Sequence, residues 1–345
     1  MSCLNTRFVM TNHQNHVLVT SYYDRAATDP ALVRLEPMAE VTRIFPGRRV
    51  RRDEMMTHLP EADAVLISDE EIDASVLAEA PRLAMICADG VGVNSVDLNA
   101  ATAAGVIVNN APFVHEANGD FTIGVILALM RRILIADKGT RAGRWNERDD
   151  YLGTGLSGRT LGLLGFGRAA QAVAKRAAGF GCKMLAYSRN PDRDAAKNLG
   201  VELVGFDELL QRSDIFSIHV KLTPQTTGMI GGPQIDLMKA GAFLVNTSRG
   251  AVLDEPVLVE ALRTGKLSGA AIDVFAEEPP PPDHPLFAMG NVLVTPHIAS
   301  DATEAFRAVF EGAVDDMLRL FQGECPTHVV NPDVLNHERC RHLTC

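Results

Sequence analysis

The stretch that decides the fold runs from Thr160 to Asn190, TLGLLGFGRAAQAVAKRAAGFGCKMLAYSRN. Its apolar run Leu161 to Leu164 is long enough for one buried strand, and a helical pattern follows from Arg168 to about Phe180. Lys183 to Tyr187 then predicts a second strand. This order of strand, glycine turn, helix and strand is the layout of a dinucleotide-binding βαβ unit.

The turn inside this unit has the composition that binds a pyrophosphate. Its first glycine allows the chain to turn tightly, and its second lets the pyrophosphate approach the backbone at the N-terminus of the helix. Ala170 replaces the usual third glycine and is small enough to keep helix and strand close. The predicted cofactor contacts in this unit are Gly165, Phe166, Gly167, Arg168 and Ala170.

The end of the second strand indicates which cofactor is bound. An NAD site usually places Asp or Glu there to bind the ribose hydroxyls, whereas this chain has Ser188, Arg189 and Asn190. Arg189 can pair bidentately with a 2′-phosphate, although it also fits an ordinary exposed loop arginine. The missing carboxylate predicts that NADP(H) is preferred, with NAD(H) as the alternative, and that Ser188 and Arg189 contact the cofactor.

Composition narrows the class of protein. A chain of 345 residues suggests two domains, and a formal net charge of -10 argues against a nucleic-acid partner. The one dense basic run, Arg48 to Arg52, is interpreted as a solvated turn after Pro46-Gly47. The N-terminus has no signal-peptide core and the run Phe121 to Met130 is too short to span a bilayer, so we expect no membrane association.

The 6 cysteines show no spacing typical of a disulfide framework, which predicts a reducing cytoplasm. A group of metal-type side chains ends the chain: His337, Cys340, His342 and Cys345. Its spacing fits no common zinc site and the tail is expected to fray, so no metal is predicted.

Two alternating series of strands and helices predict an α/β protein with two doubly wound parallel sheets. The strands of the first series are Val17 to Thr20, Val41 to Phe45, Ala64 to Ile67, Leu83 to Cys87 and Val106 to Asn109. After Leu161 to Leu164 and Lys183 to Tyr187, those of the second are Ile215 to Ile218, Ala242 to Asn246, Gly269 to Asp273 and Val292 to Thr295. Glu116 to about Arg141 predicts one long helix that bridges the domains, and Asp301 to Glu304 resembles a capping box that starts a C-terminal helix.

Three polar residues directly follow strands of the second series: Arg249, Glu278 and His297. The carboxyl ends of strands line the ligand crevice in open α/β sheets, so these side chains are predicted to meet there. An arginine can clamp a carboxylate, and a histidine oriented by a neighbouring carboxylate can donate a proton. The alternative is a surface ion pair and a structural histidine. The glycines of Ala88 to Gly92 can present backbone N–H groups to a substrate carboxylate.

These motifs resemble the D-isomer-specific 2-hydroxyacid dehydrogenase family over nearly the whole chain. Besides the cofactor turn, the matching segments are Gly90 to Leu98, Asn110-Ala111-Pro112, His219 to Pro224, Asn246 to Gly250, Asp273 to Pro279 and Thr295-Pro296-His297. The resemblance implies that Arg249 binds substrate, His297 is the general acid/base and Glu278 orients it. It also implies substrate contacts at Gly90, Val91 and Gly92, and cofactor contacts at His219, Val220, Thr223, Pro224, Thr247, Ser248, Asp273 and His297.

The resemblance further implies a substrate-binding, flavodoxin-like domain of residues 1–109 plus 302–345, a dinucleotide-binding domain of residues 110–301, and a cleft between them. It implies a homodimer formed through the cofactor domain, with the Trp145 loop reaching toward the partner subunit. Asn118-Gly119-Asp120 departs from the family pattern, and its glycine is expected to weaken the helix.

Taken together, the sequence predicts an NADPH-preferring reductase of glyoxylate, hydroxypyruvate or a similar small 2-keto acid. One alternative is an NAD-dependent dehydrogenase of another 2-hydroxy acid such as 3-phosphoglycerate. The other is a cofactor-sensing corepressor or scaffold.

Overall fold

The computed structural model describes residues 14–21, 25–44 and 48–345. The chain divides into two compact units, one containing the residues up to Val114 together with Ala302–Cys345, and the other His115–Asp301. Each unit is built on one parallel sheet, so the predicted α/β class is confirmed. Among the described residues, no helix combines the length and apolarity needed to cross a bilayer.

The sheet of the first unit has five parallel strands in the order β2-β1-β3-β4-β5. They are β1 (Asn15–Val19), β2 (Ala39–Arg43), β3 (Ala64–Ile67), β4 (Met85–Ala88) and β5 (Ile107–Asn109). The strand order changes direction between β1 and β3, which makes that point the expected ligand edge. The predicted second strand reached Phe45, which lies outside the described residues, as does the Pro46-Gly47 turn.

The sheet of the second unit has seven parallel strands in the order β12-β11-β10-β9-β6-β7-β8. They are β6 (Thr160–Leu164), β7 (Lys183–Tyr187), β8 (Val201–Leu203), β9 (Ile215–Ile218), β10 (Ala242–Asn246), β11 (Leu267–Ile272) and β12 (Val292–Val294). The central strands are apolar and buried because helices cover both faces of a parallel sheet. The short edge strand β8 was not predicted.

Helices connect the strands of both units. They are α1 (Arg25–Leu32), α2 (Arg52–Met56), α3 (Ala74–Ala78), α4 (Leu98–Ala103), α5 (His115–Met130), α6 (Ile133–Arg141), α7 (Arg168–Ala177), α8 (Arg193–Leu199), α9 (Phe206–Arg212), α10 (Gly232–Leu237), α11 (Glu255–Arg263) and α12 (Thr303–Phe321). Helix α12 buries its predicted apolar face in the first unit. Its predicted capping box is wrong, because Ala302 occupies the N-cap and offers no side chain to bind the free N–H groups.

The predicted long helix from Glu116 to Arg141 is also wrong, since it consists of α5 and α6. Arg132 separates them with a left-handed φ of 54°. The backbone N–H of Thr154 donates to the Met130 carbonyl at 2.8 Å, which satisfies a group that the break would otherwise leave unpaired. The neighbouring Gly153 has no room for a side chain, because a Cβ there would lie 2.4 Å from the same carbonyl oxygen. Both helices lie within the second unit.

The unusual Gly119 of α5 lies where α5 meets α7. A Cβ at Gly119 would approach the Ala172 Cβ to 2.9 Å, so only glycine allows the two helices to pack this closely. Arg176 of α7 forms ion pairs with Glu116 and Asp120 of α5 beside this contact. The cost of a glycine inside a helix is therefore offset by packing.

The C-terminal tail is ordered on the first unit, contrary to the expectation that it frays. The Asn331 side chain accepts from the Val108 N–H at 2.8 Å and donates to the Val106 carbonyl at 3.1 Å. Arg339 donates to the carbonyls of Ala104 at 2.9 Å and Leu83 at 3.0 Å. These bonds complete the open edge of the sheet beside β5.

A disulfide joins Cys325 to Cys345, with their Cα atoms 4.9 Å apart. The cysteine spacing did not predict this pair, because the fold brings the two residues together: the Thr344 N–H donates to the Gly323 carbonyl at 2.8 Å and returns the chain end to this point. Within the described part of the chain, no cluster of three or more His, Cys, Asp or Glu side chains has the arrangement of a metal site.

Candidate functional site

The glycine turn after β6 leaves its backbone open to a ligand. Gly165 adopts a φ of 93°, and a Cβ there would lie 2.5 Å from the His219 carbonyl oxygen, so glycine is required. Gly167 is the N-cap of α7, and a Cβ there would have no atom within 4 Å. The turn therefore combines free N–H groups with space, which fits a pyrophosphate. Phe166 and Ala170 are buried and Arg168 is exposed at the start of α7.

The segment after β9 lies beside this turn, because β6 and β9 are neighbours at the point where the strand order changes direction. The His219 ring hydrogen-bonds to Ser217 Oγ at 2.8 Å, and burial lowers its pKa to about 4, so it is neutral at pH 7. Val220 and Thr223 are half-buried, and Pro224 is exposed. The predicted cofactor residues that follow β6 and β9 thus lie at the ends of two paired strands of the second unit.

The end of β7 carries the residues predicted to select the cofactor. Ser188 is half-buried and Arg189 is exposed. Within the described residues, the Arg189 guanidinium forms no hydrogen bond or ion pair. No carboxylate occupies this strand end, since Asn190 and Pro191 follow.

The turn after β10 holds Arg249 through side-chain hydrogen bonds that the sequence did not reveal. Asn246 is fully buried and donates to the Arg249 carbonyl at 3.0 Å, while its Oδ1 accepts from the Ser248 N–H at 3.1 Å. Asn118 and Thr122 of α5 contact Thr247 from the other side. A Cβ on Gly250 would lie 1.9 Å from the carbonyl carbon of Phe275, so this turn packs directly on the segment that carries Glu278.

His297 and Glu278 form a hydrogen-bonded pair. His297 Nδ1 donates to Glu278 Oε2 at 2.7 Å, and Glu278 Oε1 accepts from the Phe275 N–H at 2.9 Å. The His297 side chain is 40% exposed, which leaves its ring accessible to a substrate. Because the bound Nδ1 is the donor, Nε2 is the atom free to exchange a proton with a ligand.

Neighbouring groups shift the pKa values of both His297 and Glu278. The hydrogen bond to Glu278 raises the pKa of His297 and outweighs the opposing effects of burial and of the Arg249 charge. Burial tends to raise the pKa of Glu278, but the hydrogen bond and charge of His297 outweigh it, so that pKa is lowered. The mutual influence of Arg249, Glu278 and His297 shows that the three predicted catalytic side chains lie close together.

Asp273 holds the turn that presents His297. Its buried carboxylate accepts from Thr295 Oγ1 at 2.7 Å and from the backbone N–H groups of Ile298 and Ala299, both at 2.9 Å. His297 itself has a φ of 56°, a conformation that non-glycine residues rarely adopt. The bonds to Asp273 fix a strained residue in one orientation, as is common at functional sites.

The predicted substrate loop lies in the first unit, at the end of β4. Val91 is exposed, and Gly90 and Gly92 are half-buried. The Asn110 side chain donates to the Val91 carbonyl at 2.8 Å, and the Ala111 N–H donates to the Gly90 carbonyl at 3.0 Å. These bonds fix the loop against the segment that follows β5.

Comparisons with known proteins agree with this architecture. Residues 123–299 match the model of the D-isomer specific 2-hydroxyacid dehydrogenase, NAD binding domain. A glyoxylate reductase of Thermococcus litoralis is 41% identical over 292 residues, which are 82% of this chain and 88% of the relative. A D-3-phosphoglycerate dehydrogenase of Archaeoglobus fulgidus is 39% identical over 81% of this chain, but the match spans only 53% of that longer protein.

A solved structure shows the same relationship. The NADPH-dependent glyoxylate/hydroxypyruvate reductase of Sinorhizobium meliloti, crystallised with NADP and malonate, is 28% identical with a TM-score of 0.78. The likeness covers 92% of this chain and 98% of that structure. The chain thus belongs to the D-isomer-specific 2-hydroxyacid dehydrogenase family and is an oxidoreductase that uses a nicotinamide cofactor.

Proposed function

We propose that this enzyme reduces glyoxylate, hydroxypyruvate or a similar small 2-keto acid and prefers NADPH. The observation that carries the proposal is the His297–Glu278 pair beside Arg249, with Nδ1 and Oε2 2.7 Å apart. One relative and one solved structure similar to this chain are named as glyoxylate or glyoxylate/hydroxypyruvate reductases. In this proposal, residues 1–109 plus 302–345 form the substrate domain and residues 110–301 form the cofactor domain.

Each of the three charged or ionisable side chains has a separate role in the proposed reaction. Arg249 binds the substrate carboxylate and polarises the reacting carbonyl through its planar guanidinium. The N–H groups of Gly90 to Gly92 bind the same carboxylate. His297 donates a proton from Nε2 to the carbonyl oxygen, and Glu278 orients the ring and stabilises its charged form. The reduced cofactor, whose pyrophosphate the glycine turn would hold, would supply the hydride from its nicotinamide.

The preference for NADPH follows from the end of β7. An unpaired arginine and a missing carboxylate favour a ribose that carries a 2′-phosphate, because a carboxylate would repel it. Thr247, Ser248 and the segment from His219 to Pro224 are proposed to complete the cofactor site. Asp273 is proposed to face the nicotinamide amide as well as to hold the His297 turn.

We expect a homodimer formed through the cofactor domain. Four large apolar side chains of this unit are at least half exposed, at Ile133, Leu134, Trp145 and Leu152. Large exposed apolar side chains in one region favour an interface. Light scattering during gel filtration tests this assembly, and a monomeric Leu134→Glu variant of normal stability supports it, whereas a monomeric wild type contradicts it.

Oxidation of NADPH and NADH in parallel, against a panel of 2-keto acids, tests the function. The proposal expects turnover of glyoxylate or hydroxypyruvate with a higher kcat/KM for NADPH than for NADH. Preference for a phosphorylated keto acid with NADH supports the phosphoglycerate alternative instead, although residues 88–95 contain no basic side chain to bind a phosphate. Absence of turnover with every acid and both cofactors contradicts the enzymatic proposal and favours a sensing role.

A further inference from the structure

Polar side chains cluster at the ligand edge of the first unit. Ser21 follows β1, Ser68 follows β3 and Asp89 follows β4, with Glu70 two residues beyond Ser68. We call these four residues the strand-end cluster. It lies where the strand order changes direction between β1 and β3, the point at which doubly wound sheets bind ligands.

The cluster is buried and internally bonded. The Ser68 hydroxyl donates to the Asp89 carboxyl group, and the Ser68 N–H donates to Glu70 Oε2 at 2.8 Å. Asp89 is only 8% exposed and Glu70 only 3%. Two carboxyl groups are thus buried at one strand edge, and among the described residues no Lys or Arg side chain bonds to either of them.

Two oxygen atoms of the cluster have no hydrogen-bond partner among the described residues. They are Ser21 Oγ, which faces the Asp89 carboxyl group, and Glu70 Oε1. Ser21 is fully buried. Buried polar atoms nearly always have a hydrogen-bond partner. Two such atoms without one, at an edge where ligands bind, therefore indicate that a polar group of a ligand forms the missing hydrogen bonds.

The electrostatics of the strand-end cluster indicate whether the bound ligand group is charged or neutral. Burial raises the pKa of Asp89 to about 8, with further increases from the Asp69 and Glu70 charges and decreases from the Ser68 and Ser21 hydroxyls. At pH 7 the Asp89 carboxyl group is therefore mainly protonated, and it can both donate and accept a hydrogen bond. Its acidic surroundings repel a phosphate and accept an uncharged hydroxyl group.

The cluster also adjoins the candidate substrate loop. Asp89 directly precedes Gly90, and a Cβ at Gly90 would have no atom within 4 Å, so there is open space beside it. The hydrogen bonds from Asn110 and Ala111 fix this loop relative to the cluster. A small acid whose carboxylate is bound by this loop would lie next to the segment that contains Asp89.

We propose that Asp89 determines substrate specificity by hydrogen-bonding an uncharged hydroxyl group on the third carbon of the keto acid, with Ser68 holding its carboxyl group in place. The proposal rests on the proposed function and narrows its substrate class to 3-hydroxy-2-keto acids such as hydroxypyruvate. Pyruvate lacks the hydroxyl group, 3-phosphohydroxypyruvate replaces it with a charged phosphate, and glyoxylate has no third carbon.

The test compares kcat/KM for these four acids with NADPH in the wild type and in Asp89→Ala, Asp89→Asn and Glu71→Gln. The wild type should prefer hydroxypyruvate to pyruvate by at least about tenfold. Asp89→Ala should lower the ratio of hydroxypyruvate to glyoxylate by roughly ten- to a hundredfold, because glyoxylate does not reach this residue. Asp89→Asn should keep most of the preference, since an amide also donates and accepts. Glu71→Gln is the matched control, because Glu71 is an exposed carboxylate of the same segment.

The outcomes separate this proposal from the function on which it rests. Equal loss with glyoxylate and hydroxypyruvate in Asp89→Ala, at an unchanged melting temperature, overturns the specificity role. An unchanged ratio, or a wild type that reduces pyruvate as well as hydroxypyruvate, also overturns it. A wild type that reduces none of the acids contradicts the proposed function itself.

Discussion

At the scale of single residues, the proposed active centre depends on one strained histidine. The left-handed backbone of His297 is held by the Asp273 carboxylate, and its ring is held by Glu278. Each constraint fixes a different part of the same residue, so the backbone and the imidazole are oriented independently. This arrangement leaves Nε2 as the one ring nitrogen free for the substrate.

The pH dependence of reduction should report the pairing of His297 with Glu278. Because Glu278 raises the pKa of His297, the acid form persists to higher pH, and kcat/KM for the keto acid should fall as the pH rises through that raised value. Glu278→Gln removes the charge, so this alkaline limb should move to lower pH. Glu277→Gln is the matched control with an exposed neighbouring carboxylate. If kcat/KM fell over the same pH range in Glu278→Gln as in the wild type, Glu278 would not set the pKa of His297.

Cofactor choice should depend on Arg189. Arg189→Ala should raise KM for NADPH by roughly ten- to a hundredfold, because a charge-assisted hydrogen bond contributes about 1.5–3 kcal/mol. KM for NADH should change little. Arg193→Ala removes another exposed arginine nearby and should leave both values unaltered. Equal increases for NADPH and NADH in Arg189→Ala would be inconsistent with recognition of the 2′-phosphate.

The positions of Arg249, Glu278 and His297 after strands led to the prediction that they meet, because parallel strands bring their carboxyl ends to one edge. Their catalytic roles came from the family resemblance. The supporting residues were not predictable in the same way. Asn246 and Asp273 act through hydrogen bonds whose geometry depends on the turn that they close. The contact between Ser68 and Asp89 joins two strands across 21 positions, and only the strand order reveals it.

At the scale of elements, local sequence patterns predicted the regular helices and strands. They did not predict a helix end that is stabilised by residues distant in the sequence. The unit β6–α7–β7 appears as expected because its apolar run, glycine turn and helix are all local signals. The break between α5 and α6 has no glycine or proline at Arg131-Arg132. It is stabilised by Thr154, which lies in a later loop.

The contact between α5 and α7 gives a paired test within one helix. Gly119→Ala should destabilise the protein by about 1–3 kcal/mol, because the new methyl group collides with Ala172. Gly124→Ala, in the same helix with open space at its Cβ position, should stabilise it by up to about 1 kcal/mol. Thermal unfolding of both variants measures the difference. Similar stability in the two variants would mean that the helices do not pack as described.

At the scale of the whole molecule, the last residues of the chain stabilise the first unit. The loop from Cys325 to Cys345 spans 20 positions and crosses β5 and the turn at Gly105. Cysteine spacing alone did not predict this pairing, because the fold rather than the sequence brings the two residues together. The tail and α12 therefore belong to the same unit as the N-terminal strands.

Loss of the Cys325–Cys345 disulfide should lower the melting temperature and leave the proposed active centre unchanged. Cys345→Ser should lower the melting temperature by several degrees under oxidising conditions, since closing a loop of this length contributes about 3 kcal/mol. The wild type should lose the same amount on reduction, and the variant should not respond. Cys182→Ser, a half-buried free cysteine in the second unit, is the control. A wild type whose melting temperature is insensitive to reductant would contradict the stabilising role.

The central claim is that His297 donates the proton in reduction of a 2-keto acid. The most direct measurement is kcat for the preferred keto acid with NADPH in His297→Ala, together with the Kd for NADPH and the melting temperature. The account predicts that kcat falls by roughly 10²–10⁴ while cofactor affinity and stability remain near those of the wild type. A correctly folded His297→Ala enzyme that retains more than about a tenth of the wild-type kcat would contradict it.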